Sequence, residues 1–163
     1  MVHAVYDEFG FTWEPDGYHA DLMDLTDYCN PEVAKFWVAE CEGVLVGCGG
    51  IEWHDVIPGP ASTIAEFEGV RRIAGTSAEI IRMYVHPHAR KRGIASEIMR
   101  QCVAGARFKN VDLVEIWSDK RFLDAHRLYE RFGAVAVGDR ICDDPDVSPE
   151  WGLALDLRVP SGN

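Results

Sequence analysis

The run Arg90-Lys91-Arg92-Gly93 is the strongest chemical signal in the chain. It follows an apolar stretch, AEIIRMYV (78–85), which Pro87 stops. It precedes Ile94, Ala95, Ile98, Met99, Cys102, Val103 and Ala106, which recur at helical spacing. A strand, a basic turn and a glycine that opens a helix together suit an anion. The first helical N–H groups lack intrahelical partners, and the helix dipole adds partial positive charge there. Glycine lets the backbone approach closely, while Arg90 and Arg92 offer guanidinium forks to phosphate oxygens. The pattern is neither G-x-x-x-x-G-K-[ST] nor G-x-G-x-x-G, which sets aside the two best-known phosphate loops.

These cations stand in an acidic chain, with 27 Asp and Glu against 16 Lys and Arg and a net charge of −11. Such a balance argues against nucleic acid or an anionic membrane as the main partner, because counterion release needs a broad basic face. No run reaches the ~18 apolar residues of a membrane span, and the N-terminus lacks the basic-then-apolar order of a secretory signal. Cys29, Cys41, Cys48, Cys102 and Cys142 are odd in number and form no C-x-x-C pair. That spacing opposes both zinc and a disulfide framework and fits a reducing cytoplasm. His86, His88 and His126 have no metal partner at suitable spacing, so no metal site is expected.

The elements that must position the basic turn read as one domain over 1–163. Short helices are predicted over 2–9 and 18–28. A hairpin follows, AKFWVAE (34–40) and VLVGCGGIEW (44–53), in which Gly47, Gly49 and Gly50 suggest a bulge or a close approach of another backbone. Residues 54–77, with Pro58, Gly59, Pro60 and Gly75, read as a loop with at most one helical turn. Then come strand 78–85, a helix from Gly93, strand 112–118, a helix over 119–132 ended by Gly133, and strands 134–140 and 152–158 around an acidic loop. The strand–helix–strand unit implies one parallel pair in an otherwise antiparallel sheet, an α/β (α+β) fold.

Arg90-Lys91-Arg92-Gly93-Ile94-Ala95 resembles the R/Q-x-x-G-x-G/A motif of the GNAT N-acetyltransferase family. AHRLYERFGA (125–134) resembles that family's second landmark, an A-x-x-x-Y-E-x-x-G-F-like helix, and the likeness spans residues 44–157. The resemblance implies a single GNAT domain: a mixed, mostly antiparallel sheet with a central splayed parallel pair flanked by helices. The family's first edge strand is missing, since the chain begins at about the first helix. The resemblance further implies acetyl-CoA (coenzyme A) as cofactor, with Arg90, Lys91, Arg92, Gly93, Ile94, Ala95 and Ser96 at its phosphates. Met83, Tyr84 and Val85 would pair their backbone with the pantetheine arm. Phe122 stands where the family often carries a cofactor-contacting asparagine, and Lys91 where it often has glycine. A homodimer is a family expectation.

Acetyl transfer to an amine needs a base, because an alkylammonium has a pKa of roughly 10. Glu79 on the central strand, on one face with Ile81 and Met83, is one candidate. Glu52 and His54 at the end of the preceding strand are the others, His54 having the more suitable unperturbed pKa. By the resemblance, Tyr129 is the general acid, and a backbone N–H near Tyr84 or Val85 receives the oxyanion. The acceptor expected is a small-molecule amine, which Glu66, Glu68 and the acidic loop after Arg140 could attract and Trp13, Trp53, Phe67 and Trp151 could wall. A non-catalytic acyl-CoA-binding module of the same fold is the alternative.

Overall fold

A computed structural model describes residues 1–158. The chain opens with α1 (Val2–Phe9), which Gly10 ends in the left-handed conformation, followed by the single-turn α2 (Ala20–Met23) and a 3-10 turn over Asp27–Cys29. The helix expected over 18–28 is therefore broken, because Asp24 turns extended and its carboxylate accepts from the Thr26 N–H instead of prolonging the helix. The hairpin follows as expected, β1 (Ala34–Cys41) and β2 (Val44–Trp53). The expected loop of 54–77 instead contains a second hairpin, β3 (Ile64–Phe67) and β4 (Val70–Ile73), forming its own two-stranded sheet. Glu68 and Gly69 turn it with φ of 52° and 80°, the positive pair that a two-residue hairpin loop requires.

The remainder runs β5 (Ala78–Val85), α3 (Ile94–Phe108), β6 (Leu113–Asp119), α4 (Leu123–Arg131), β7 (Val135–Ile141) and β8 (Pro149–Asp156). Helix α4 starts later than the expected 119, because the Asp119 carboxylate takes the Arg121 N–H and shapes a turn first. No helix among the described residues is long and apolar enough to cross a membrane.

The six-stranded sheet has the order β1-β2-β5-β6-β8-β7, with β5 and β6 its parallel pair. On the N-terminal side β1 itself forms the edge, and no strand precedes α1 among the described residues. The parallel pair shares only two register positions, Glu79 with Glu115 and Ile80 with Ile116. Beyond these the strands diverge toward their C-terminal ends, leaving the β6-facing edge of β5 without a strand partner.

A bulge accompanies the splay. Arg82 and Met83 of β5 together oppose Gly49 of β2, and Arg82 takes φ 52°, a conformation a non-glycine residue rarely adopts. The bulge breaks the alternation of β5, which corrects the expectation that Glu79 and Met83 share a face. Met83 packs with Ile80 against the core under α3, whereas Arg82 reaches Asp21 on the opposite side. Gly49 is required by this packing: a Cβ there would lie 2.9 Å from Ile98 of α3 and 3.0 Å from the Met83 sulfur.

Both long helices cover that face. Ile98, Met99, Cys102 and Ala106 of α3 and Leu128 and Tyr129 of α4 join Ile51, Ile80, Val114, Ile116, Leu153 and Leu155 in one buried cluster. Truncating the fully buried Met99 to alanine would cost about 2–5 kcal/mol. On the other face Ile73, Leu113, Trp117 and Ala154 form a smaller core beneath the β3–β4 hairpin.

Candidate active site

A cavity of about 660 Å³ opens where β5 and β6 part. Met83, Tyr84 and Val85 line one side, Trp117 and Ser118 the other, and Tyr129 of α4 reaches in. At one end stands the start of α3, contributing Gly93, Ile94, Ala95 and Ser96. Gly93 is the N-cap residue at φ 83°, and no side chain caps the helix, so the first-turn N–H groups keep free hydrogens beside the cavity.

Arg90 and Lys91 also line this cavity, but Arg92 does not. Its side chain borders a neighbouring groove of about 570 Å³ with His86 and His88. The Arg90 fork already has a partner in the Glu8 carboxylate of α1, at 2.9 and 2.6 Å, while its Nε donates to the Val85 carbonyl at 3.3 Å. The expected bidentate grip of Arg90 on phosphate is thus directed at Glu8 in this structure. The α3 backbone and Lys91, which makes no ion pair among the described residues, are the remaining donors on this side.

Tyr129 is 4% exposed, and its hydroxyl makes no hydrogen bond among the described residues. Burial pushes its phenol above the ordinary range, with Tyr84 and Cys102 adding smaller effects, so the O–H stays protonated. Tyr84 exchanges a 3.2 Å hydrogen bond with Tyr6 of α1, fixing α1 across the cavity mouth.

Glu52, His54 and Glu79 lie together behind the cavity wall rather than on it. Glu52 is opposite Glu79 in the β2–β5 register, and Glu115 is opposite Glu79 across the parallel pair. Glu115 is fully buried. Its carboxylate accepts from Arg72 Nε at 2.7 Å, from the Ile73 N–H at 2.9 Å and from Trp117 Nε1 at 2.9 Å. His54 Nε2 stands 3.3 Å away. Burial alone would raise the Glu115 pKa, but His54, Arg72 and the Ile73 N–H outweigh it and hold it at about 2. Glu79 goes the other way: burial, with the Glu115 charge behind it, pushes it up to about 7, against the pull of Arg140 and Arg72. Burial also raises Glu52. His54 is raised too: burial lowers it, but the Glu115 carboxylate beside it and the Asp55 carbonyl, accepting from Nδ1 at 2.8 Å, outweigh that.

The aromatic walls differ from expectation. Trp13, Trp53, Phe67 and Trp151 do not line the cavity; Tyr6, Phe9, Phe11, Tyr18, Trp117 and Phe122 do. Of the acidic loop, Asp144 reaches the wall, joined by Glu150 of β8, whose pKa burial raises against the neighbouring Arg140. Glu66 instead pairs with Arg71 at 3.3 Å. Sequence reasoning missed Glu8, Arg72 and Glu115. Only Arg72 had a visible signal, the Glu68-Gly69 turn between the short runs Ile64–Phe67 and Val70–Ile73. No group of three or more His, Cys, Asp or Glu among the described residues is arranged to hold a metal ion.

A splayed parallel pair, a bulge opposite glycine and an uncapped helix start at the end of the gap narrow the possible relatives, and sequence comparison decides between them. The profile of the Acetyltransferase (GNAT) family matches residues 2–134. The chain belongs to the GNAT acetyltransferase family. Among curated proteins, the N-acetylaspartate synthetase of Danio rerio is 28% identical over 122 residues, covering 74% of this chain. The match spans only 37% of that relative's length. Among solved structures, a GNAT acetyltransferase from Staphylococcus aureus Mu50 superposes with a TM-score of 0.68 at 17% identity, covering 96% of this chain and 87% of its own. A GNAT acetyltransferase from Elizabethkingia anophelis with acetyl-CoA bound gives 0.55 at 14% identity, covering 88% and 84%. This GNAT chain also fits such a cofactor on its own features. The first-turn N–H groups of α3 await an anion, and the unpaired β5 edge offers backbone partners to an extended arm.

Proposed function

We propose that this chain is an N-acetyltransferase that moves an acetyl group from acetyl-CoA directly to the amine of a small molecule in a ternary complex. The observation that carries the reading is the convergence of the free α3 N-terminus, the unpaired β5 edge and the Tyr129 hydroxyl on one cavity. When bound, acetyl-CoA supplies the acetyl group as a thioester. The N–H groups of Gly93 to Ser96 and the Lys91 ammonium would hold its phosphates. Met83 to Val85 would align the arm through backbone bonds, and an N–H at Tyr84 or Val85 would donate to the thioester carbonyl oxygen. Glu79, near neutral in its proton affinity, takes the ammonium proton of the acceptor. Because its carboxylate lies behind the wall, that proton travels through water. Tyr129, whose O–H burial keeps protonated, would give that proton to the departing thiolate and regain one from solvent.

The test is release of free coenzyme A from acetyl-CoA across a panel of amines, with Glu79→Gln and Tyr129→Phe beside the native chain. Turnover of one amine that collapses in both variants, with coenzyme A affinity kept, supports the reading. Acetyl-CoA binding with no amine exceeding slow hydrolysis would overturn it in favour of a non-catalytic acyl-CoA-binding module.

A further inference from the structure

We propose that Glu115 and Arg72 are positioning residues that set the protonation of Glu79, which makes the inserted β3–β4 hairpin part of the base. The inference deepens the proposed function and rests on its assignment of Glu79. The geometry is a contest between two carboxylates for one guanidinium. Glu79 and Glu115 face each other in register at one of the two positions where β5 and β6 pair, so their charges cannot separate. Arg72 comes down from β4 between them. It donates through both Nε and Nη2 to Glu115 Oε1, while Glu79 Oε2 stands 3.6 Å from Nη2. Glu115 also holds the Ile73 N–H, belonging to the residue after Arg72, and the Trp117 indole N–H. Its lone pairs are saturated by donors, which fixes it as the anion of the pair.

A second charge on the adjoining Glu79 is then disfavoured, and any proton shared by the pair resides on Glu79. The other charged groups around Glu79 do not reverse this. Glu52 faces it from β2, His54 follows that strand, and Arg140 on β7 is engaged by Glu150 on β8 at 2.7 Å. Trp117 links this arrangement to the acceptor side, since its ring lines the cavity while its N–H is tied to Glu115. Arg72 belongs to a hairpin outside the main sheet, so the base is tuned by an appended element rather than by the sheet itself.

The experiment follows the Glu79 side-chain carboxyl by carbon NMR across pH in the full chain, with the signal assigned by its loss in Glu79→Gln. Glu115→Gln removes the competing anion and leaves Arg72 to Glu79, so the midpoint should fall by at least about one pH unit, tenfold in proton affinity. Arg72→Met, which removes the shared cation from a position that is only 21% exposed, covers the case in which Glu115→Gln does not fold. There the midpoint should rise by a similar amount. A midpoint unmoved in folded Glu115→Gln, or in Arg72→Met, overturns the proposal. The pH profile of kcat/KM, recorded alongside, separates the two claims. If its acidic limb follows the carboxyl midpoint, both stand; if the carboxyl moves and the limb does not, the tuning stands and Glu79 is not the base.

Discussion

Replacing Gly93 with alanine separates backbone strain from ligand recognition at the start of α3. Gly93 sits at φ 83° and ψ −2°, a left-handed geometry that costs an L-residue about 1–2 kcal/mol. An added Cβ would meet no heavy atom within 4 Å, so no clash enlarges that cost. About 1 kcal/mol lowers the Tm of a chain this size by roughly 2–4 °C. Gly133, just after α4, offers an internal control: its φ is 95°, its Cβ direction is equally open, and it lies outside the cavity wall. Gly133→Ala should therefore lose the same Tm without touching the site. Gly93→Ala also adds a methyl group beside the free N–H groups of α3, and an anion held there must retreat. We expect coenzyme A affinity to fall at least tenfold, about 1.4 kcal/mol, in Gly93→Ala alone. Thermal melts without ligand and calorimetric titration with coenzyme A give both numbers. Equal Tm losses with native coenzyme A affinity in both variants would refute the phosphate-cradle reasoning, and an unchanged Tm in both would refute the strain argument.

Tyr129→Phe should leave coenzyme A affinity and Tm close to native, because the hydroxyl has no protein partner, while kcat falls by about 10²–10⁴. Glu8→Gln removes a carboxylate from the cavity wall and frees the Arg90 fork; coenzyme A should bind several-fold tighter, most clearly at low salt. The two facing carboxylates give stability an asymmetric pH dependence. Glu115, held at about 2 against 4.5 unfolded, contributes stability that is present above about 4.5 and lost on acidification toward 2, about 3 kcal/mol at most. Glu79, raised to about 7, acts oppositely, so its share declines as pH rises from 4.5 through 7. Urea midpoints measured across this range should peak between these limbs, and Glu115→Gln should remove the acid-side slope.

Where one residue type dominates its neighbourhood, the sequence was legible. Apolar, β-rich runs between turn residues marked β1, β2, β5 and β8, and the Ile98-Met99-Cys102-Ala106 stripe marked α3, because burial on one helix face leaves a periodic trace. The basic turn and Gly93 were visible because three cations and a glycine stand consecutively between a strand and a helical stripe. The β3–β4 hairpin was obscured by Pro58, Gly59 and Pro60 before it and by short strands rich in charge. The Arg82 bulge leaves no mark in the sequence of β5; its signal lies on the facing strand, in the glycines around Gly49. Long-range pairs were likewise hidden. Nothing near Arg90 announces Glu8, and nothing near Glu79 announces Glu115, because each pair exists only once the sheet has formed.

The splay of the parallel pair also divides the molecule along its own sequence. Strands β1, β2 and β5 come from residues 34–85 and β6, β7 and β8 from 113–156, so the sheet strands on each side of the gap share one stretch of chain, with the β3–β4 hairpin crossing to pack on β6 and β8. Every strand pairing inside a side is antiparallel, and the two sides meet in register at two positions. Such an arrangement lets each side assemble from its own segment, with α3 as the tether that brings them together. A ligand lying along the unpaired β5 edge would then act as a seam between two halves, and slower amide exchange on both sides of the gap would be the mark of its arrival.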